Sequence, residues 1–323
     1  MSLYHKYRPT SFTQVKGNQE TVTTLESMLS DTATCSHSFL LHGPTGCGKT
    51  TIARIIAKTL GCPEMIEDEV LGVETPNMDY CELDTADFRG IDTIREIRSN
   101  AQYKPINSTC RVWVLDECHK LSTDAMNALL KILEDTPSHV YFILCTTDPV
   151  KLLPAIRGRC QQFQVQLLTD AQMTGLLKRI CKGEGVQIEQ ELLQKIAEKS
   201  EGHARNAIQI LEQVIKTTPE QRQEVIKKID VQQMQSIELA RALFNNASWK
   251  TVANILTGLK DQDAEGVRRV VLGYAQAVLL KGADNPRAGL ILQEFLEPTY
   301  NSGWPQITYA AYSVTKNDEN YEH

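Results

Sequence analysis

Apolar and polar positions in the first half of the chain fall into short runs of two kinds. The stretches SFLLHG (38–43), MDYCELD (78–84), RVWVLD (111–116), VYFILCTT (140–147) and QFQVQ (162–166) are rich in β-branched and aromatic residues or alternate, and they predict strands. Between them the apolar period lengthens to that of a helix. Met126, Leu129, Leu130 and Leu133 follow i, i+3, i+4, i+7 spacing and share one face, with Ser122 placed to cap the helix. Strands alternating with helices predict an α/β domain with a parallel five-stranded sheet and helices on both faces.

Strand signals stop after residue 166. Thr169 with Gln172 forms a capping-box pattern, and GEG at 183–185 ends the helix it starts. Helical patterns follow near 189–200 and 204–216, and TPEQ (218–221) reads as another helix start with Pro219 at the first position. From about 231 to 315 the pattern is helical, punctuated by KDQD, GADNP and NSGWP. These shifts predict three domains: an α/β domain over 1–166, a small helical domain over 167–228, and an all-α domain over 229–323. The polar tail KNDENYEH is expected to fray. No internal repeat or low-complexity segment interrupts the pattern.

Composition narrows the class. At 323 residues the chain exceeds one ordinary core, and 41% hydrophobic with 23% charged residues fits a soluble globular protein. No apolar run approaches a membrane span, so no membrane partner is expected, and MSLYHKYRPT lacks the apolar region of a signal peptide. Nine scattered cysteines without a CxxC pair predict reduced thiols in a cytoplasm rather than a disulfide framework or a zinc site. A formal charge of −6 gives no global pull toward nucleic acid, so any such binding must rest on a local basic surface.

Chemistry enters at HGPTGCGKTT (42–51), which follows a predicted strand and precedes the helix TIARIIAKTL. Gly43, Pro44, Thr45, Gly46, Cys47, Gly48, Lys49 and Thr50 complete G-x-x-x-x-G-K-[ST], with Thr51 next in the helix. Glycines let backbone N–H groups turn inward around phosphate oxygens, and the helix N-terminus adds its dipole. Lys49 would meet the β- and γ-phosphates of ATP, and Thr50 would bind Mg²⁺. A second motif, RVWVLDECHK (111–120), ends a buried strand in two acids. Asp116 can share the Mg²⁺ shell, partly through water, and Glu117 can orient or deprotonate an attacking water. Together the two motifs predict hydrolysis rather than binding alone. His119 reads as a surface histidine.

Residues 155–163, AIRGRCQQF, raise a different question, because Arg157 and Arg159 have no acidic residue within several positions. Arg157 reads as a solvated basic residue. Around these motifs the chain resembles the AAA+ ATPase subunits of sliding-clamp loaders. HKYRPTSFTQVKGNQE (5–20) looks like the family's N-terminal signature, and TADFRGIDTIREI (85–97) is similar to a segment of replication factor C small subunits. NALLKILEDTP (127–137) and TTDPVKLLPAIRGRC (146–160) resemble the bacterial gamma/tau subunit, and GHARNAIQIL (202–211) resembles the second-sensor helix. The resemblance runs from about residue 4 to 216. The helical remainder is similar to the family's collar in length and helical character alone.

The resemblance implies roles residue by residue. Tyr7, Arg8, Pro9 and Val15 would border the adenine, Thr147 would be the first sensor near the γ-phosphate, and Arg205 the second. The family's Ser-Arg-Cys motif stands here as Gly158-Arg159-Cys160, and Arg159 would reach as a finger into a neighbouring subunit's ATP site. Arg89, Gly90 and Ile91 precede a helix whose N-terminal N–H groups suit a DNA phosphate, and the resemblance sets them on the ring's inner wall. The implied domains are a nucleotide-binding AAA+ domain, a lid carrying the second sensor, and an oligomerising collar. The implied partners are primer–template DNA, a sliding clamp and other loader subunits in a pentameric ring.

Two departures bear on identity. The gamma/tau subunit carries a four-cysteine zinc module after the P-loop helix, whereas residues 61–81 offer only Cys62 and Cys81, so no zinc is expected. The chain also stops where the collar should end. A short, zinc-free chain mixing both signatures suggests a phage-encoded or otherwise divergent loader, working in a host cytoplasm if it is a phage's. A related AAA+ DNA remodeller, such as a branch-migration motor or helicase loader, is the alternative reading. No strand pair of a winged-helix domain appears near SGWPQITYAAYSV to favour it. A catalytically silent scaffold subunit conflicts with Lys49, Thr50, Asp116 and Glu117 all being present.

Overall fold

The computed structural model describes residues 2–31, 35–68, 73–218, 222, 235–260, 262–281, 285–297, 299 and 302–316. They fall into two compact units, residues 1–216 and 217–323. The expected boundary at 166/167 lies inside the first unit, where the sheet gives way to helices. The expected boundary at 228/229 lies outside the described residues, as does most of the TPEQ start.

Five parallel strands form the sheet of the first unit: β1 (Ser38–His42), β4 (Tyr80–Asp84), β5 (Arg111–Asp116), β6 (Val140–Thr146) and β7 (Gln161–Gln164), in the order β4-β5-β6-β1-β7. All five match the expected segments to within two residues at either end. The sequence pattern gave no sign of a short antiparallel pair, β2 (Met65–Asp68) with β3 (Val73–Pro76), which lies in the segment 61–81. Its four-residue strands are too short and too charged to give a clear alternation.

Both faces of the sheet are buried, and the period-2 geometry of strands decides which residue goes where. Phe39, Leu41, Val112, Val114, Ile143 and Cys145 meet α2 (Gln19–Leu29) and α3 (Lys49–Thr59) on one side. Leu40, Trp113, Leu115, Phe142 and Leu144 meet α4 (Ile91–Asn100), α5 (Thr123–Glu134) and α6 (Pro154–Arg159) on the other. Ser122 caps α5, accepting from the Ala125 N–H. The buried stripe of α5 is Ala125, Met126, Leu129, Ile132 and Leu133, so the expected Leu130 lies at its margin.

Ahead of the sheet stands α1 (Leu3–Lys6), and behind it α7 (Asp170–Glu184), α8 (Gln190–Lys199) and α9 (Ala204–Lys216) form the helical part of the unit. The Thr169–Gln172 capping box is complete, and Gly185 ends α7 in the left-handed conformation that glycine favours. The regular elements among the second unit's described residues are helices: α10 at 235–244, α11 (Trp249–Leu259), α12 (Ala264–Leu280), α13 (Pro286–Phe295) and α14 (Trp304–Lys316). Its core gathers Leu239, Leu243, Val252, Leu256, Val267, Val271, Ile291, Phe295 and Ile307.

One buried charge organises the start of β5. The Asp79 carboxylate is fully buried and accepts from the backbone N–H groups of Ile106, Asn107 and Ser108, and from Arg111 Nη2 at 3.1 Å. Burial pushes this carboxyl up, but those N–H donors and Arg111 outweigh it, and the net shift is downward. Stability from this clasp is therefore present above the ordinary carboxylate range and is lost as pH falls through the depressed value. Asp79→Ala, which leaves Arg111 and the loop N–H groups unpaired, should cost about 3–5 kcal/mol, read from urea unfolding midpoints. Asp79→Asn should lose the part of the parent's acid dependence that Asp79 contributes.

Candidate nucleotide site

The loop between β1 and α3 is shaped first by the sheet. A Cβ at Gly43 would come within 2.0 Å of the Val165 carbonyl, so only glycine fits where the loop leaves β1. Gly48 caps α3 with φ 103°, and a Cβ there would project into open space. Pro44 and Thr45 are exposed at the loop tip, Gly46, Thr50 and Thr51 are half-buried, and the Cys47 thiol is buried and pushed up by that burial. Lys49 is 6% exposed and donates to the Gly43 and Pro44 carbonyls at 3.0 and 2.9 Å. Its ammonium is thus folded into the loop's own concave face.

Thr50 Oγ1 donates to Asp116 Oδ2 at 2.6 Å, joining the first turn of α3 to the end of β5. Directly after Asp116 the chain kinks. Glu117 adopts φ 49°, a left-handed conformation uncommon for a residue with a side chain, and Thr85 Oγ1 pins its carbonyl at 2.7 Å. Thr147, one residue past β6, donates its hydroxyl to Glu117 Oε2 at 3.1 Å. Burial pushes the Glu117 carboxyl above its ordinary value, with Asp116 adding to the push and Lys49 and Thr147 opposing it.

His119 is not a surface histidine. Its side chain is 5% exposed, and Nδ1 lies 3.0 Å from Thr146 Oγ1 and 3.3 Å from Glu117 Oε2. The kink at Glu117 turns the ring back under the acid instead of out to water. Sequence reasoning had no signal for a three-residue turn of that hand.

The helical part of the unit closes on the same loop. His203 Nδ1 donates to the Thr45 carbonyl at 2.8 Å. Two residues on, Arg205 Nη2 donates to the Tyr4 hydroxyl at 3.2 Å, and its guanidinium lies 4.7 Å from the centre of the Tyr4 ring. Arg8 stacks over that ring at 5.0 Å. Burial pushes the Tyr4 hydroxyl up, but the two cations outweigh it and the net shift is down. Tyr7 donates to Glu184 Oε1 at 2.6 Å, lying where a side chain at Gly183 would collide with it. Pro9 is half-buried, and Val15 packs against the core beneath α3. Tyr4 and His203 were missed, although His203 stands inside the GHARNAIQIL stretch.

Arg159 does have an acidic partner. Its Nη2 contacts Glu134 Oε1 of α5 at 2.5 Å, and both side chains remain well exposed. Glu134 lies 25 residues away, beyond any local reading of the sequence. Arg157 is half-buried on α6 rather than solvated, and among the described residues its Nε finds no acceptor. Arg89 is exposed and donates Nε to the Ala86 carbonyl at 2.7 Å; Gly90 caps α4 and Ile91 begins it. Cys62 is buried beside Asn77, whose amide reaches its sulfur at 3.7 Å.

A parallel sheet with a glycine-rich loop at the head of α3 and an acidic pair at the end of β5 defines a P-loop nucleotide-binding protein of the AAA+ class. Residues 17–169 match the family model described as DNA polymerase III, delta subunit, and residues 175–215 match the RCF1/5-like AAA+ ATPase lid domain. The DNA polymerase III subunit gamma/tau of Mycobacterium tuberculosis is 40% identical over 225 residues, 67% of this chain and 39% of that protein. The tau subunits of Bacillus subtilis and Escherichia coli are each 37% identical, over 66% of this chain and 39% and 34% of their own lengths. The chain thus spans well under half the length of these relatives. The Holliday junction branch migration motor RuvB of Thermotoga maritima superposes with a TM-score of 0.57 at 21% identity, over 78% of this chain and 85% of that one, a likeness of fold. The chain belongs to the clamp-loader family of AAA+ ATPases.

The two cation–ring contacts of Tyr4 carry a test of their own. Each cation–ring contact at such a site is worth about 0.5–1 kcal/mol, so Tyr4→Leu should destabilise the first unit by about 1–2 kcal/mol in denaturant titrations. Tyr4→Phe, which keeps the ring, should retain most of that.

Proposed function

We propose that this chain is an ATPase motor subunit of a DNA sliding-clamp loader. The observation that carries the reading is the chain of contacts from Thr50 through Asp116 and Glu117 to Thr147, with Lys49 folded into the adjoining loop. It sets a cation, a hydroxyl, two carboxylates and a second hydroxyl around one end of the sheet.

That donor set fits Mg²⁺ and ATP. Thr50 and Asp116 supply the hard oxygen donors such an ion takes, partly through water, and Lys49 and the loop N–H groups of Thr45 to Thr51 supply what phosphates take. The ion, when bound, neutralises charge on the phosphate oxygens. Glu117, its carboxyl raised by burial, accepts the proton of the attacking water, and Thr147 steadies the carboxylate. Tyr7, Arg8, Pro9 and Val15 border the base, and Arg205 reaches the γ-phosphate once it leaves Tyr4. Arg159, displayed on the surface, serves a neighbouring subunit's site.

The remaining assignments follow the same reading. Arg89, Gly90 and Ile91 meet the DNA backbone, primer–template DNA being the substrate surface. Met78, Tyr103 and Ile106 stand exposed around the loop that Asp79 clasps, and they offer the sliding clamp an apolar surface. Residues 1–166 act as the nucleotide-binding domain, 167–228 as its lid, and 229–323 as the collar of a pentameric ring. ATP binding drives clamp opening and DNA binding, and hydrolysis releases the closed clamp. No zinc is expected, because residues 61–81 offer only Cys62 and Cys81 as thiolate ligands. The chain works in a cytoplasm, where its nine thiols stay reduced, and no described helix is long and apolar enough to cross a membrane.

Arg159→Ala should leave ATP binding by the isolated chain unchanged and reduce hydrolysis in the ring, where comparable fingers are worth on the order of 10³ to 10⁵ in rate. Mixing Arg159→Ala with Lys49→Ala chains should restore activity that neither has alone. A co-assembled mixture that stays inactive would sink the assignment in trans.

Glu117 predicts a pH effect as well. A base must be ionised to act, so turnover should fall on the acid side with an apparent pKa above the ordinary glutamate value. The pH–rate profile of ATP hydrolysis reads this directly. An acid limb at or below the ordinary value would remove Glu117 from the role of base.

A further inference from the structure

The clamp-loader reading gives His203 no role, yet the structure sets its ring against the phosphate loop. His203 lies in the stretch 175–215 that matches the AAA+ lid, one residue ahead of α9. Its Nδ1 stands 2.8 Å from the Thr45 carbonyl oxygen. A carbonyl accepts only, so the proton is on Nδ1 and the ring is the donor. The ring also lies close over the next loop residue. A Cβ at Gly46 would stand 3.2 Å from Nδ1, and Gly46 takes φ 74°. The pattern G-x-x-x-x-G-K-[ST] leaves position 46 open, so this glycine answers to the left-handed turn and the ring above it.

The ring is offered from a fixed origin. The His203 N–H donates to the Ser200 carbonyl at 2.8 Å, and the His203 carbonyl accepts from the Ala207 N–H at 3.1 Å. Ser200 is fully buried. Just ahead, the Gly202 carbonyl accepts from the Leu168 N–H at 3.2 Å, and a Cβ at Gly202 would come 2.7 Å from the Leu168 carbonyl oxygen. The turn at 200–203 is thus fastened to the segment joining β7 to α7.

What this does to the loop follows from the planar peptide. In a trans peptide the C=O and N–H groups point in opposite directions, and no described peptide bond is cis. A Thr45 carbonyl held toward His203 therefore turns the Gly46 N–H away from it. Among the described residues no acceptor meets that N–H.

We propose that His203 is a positioning residue for nucleotide binding: it holds the Thr45 carbonyl on the side of α9 and so fixes the Gly46 N–H as a donor to phosphate. This rests on the loop at 43–50 receiving the phosphates of the nucleotide. His203 acts through the loop backbone alone, and the lid thereby sets the shape of a loop that belongs to the sheet.

The test uses the full chain with Mg²⁺, and reads dissociation constants for ADP and for a slowly hydrolysed ATP analogue. His203→Leu should weaken both by about 3- to 10-fold, the net worth of one hydrogen bond. The two losses should be equal, because the loop donors serve phosphates that both nucleotides carry. Arg205→Ala, by contrast, should weaken the ATP analogue alone. His203→Asn, whose amide N–H falls near the Nδ1 position, should recover most of the affinity. His203→Gln, which carries its amide toward the Nε2 position, should not.

Parental affinity in Lys49→Ala would overturn the phosphate-loop reading, and the proposal with it. A crippled Lys49→Ala beside parental affinity in His203→Leu would overturn the proposal alone. So would Asn and Gln variants of equal affinity, which a packing role predicts. A loss in His203→Leu confined to the ATP analogue would also overturn it, since the ring would then serve Arg205 and the γ-phosphate.

Discussion

The hydrogen bond from Thr50 to Asp116 is the contact on which the rest of the site depends. It fastens the first turn of α3 to the end of β5, two elements that would otherwise share only apolar packing across the sheet face. With that distance set, the glycine-rich loop has a fixed exit and Lys49 a fixed origin. The kink at Glu117 then begins from an anchored residue, because Asp116 also accepts the Glu117 N–H at 2.9 Å through its other oxygen. One carboxylate thus orders the helix on one side and the backbone turn on the other. Its remaining electron pairs are the ones a hard cation would take up.

A second set of contacts runs from the chain's beginning to the helices after the sheet. Leu3 reaches Glu212 on α9, Tyr4 meets both Arg8 and Arg205, and Tyr7 ends on Glu184 of α7. His203 completes the set from α9's leading edge to the loop tip at Thr45. These are polar contacts of partly exposed groups, individually weak and readily exchanged. The apolar contacts that hold the sheet are of the opposite kind. A unit built this way keeps a rigid acid pair while the arginines around it can change partners.

The sheet was legible because its central strands are continuous apolar runs bounded by turns, and buried parallel strands leave that signature. The caps at Ser122 and Thr169 were legible because a cap is local, decided within three residues. The P-loop was legible for the same reason. Asp79, His119 and Glu134 were not, because each acts on residues brought to it by the fold. Asp79 holds a loop 27 to 29 residues ahead, and Glu134 pairs across 25. His119 depends on the hand of a single residue, Glu117, whose positive φ no periodicity announces. The β2–β3 pair failed for a different reason, since its strands hold too few apolar residues to alternate.

The two end glycines of the phosphate loop are conventionally read together, yet the structure separates them. Gly48 is required by its backbone angle, and a side chain there would stand in open space. Gly43 is required by the Val165 carbonyl, an atom of the sheet's own far edge. A substitution at Gly43 therefore pries β1 from the segment after β7 before any nucleotide is involved, and a fault in binding would be inseparable from a fault in folding. Gly43 belongs to the architecture of the sheet, and the loop inherits its shape from there.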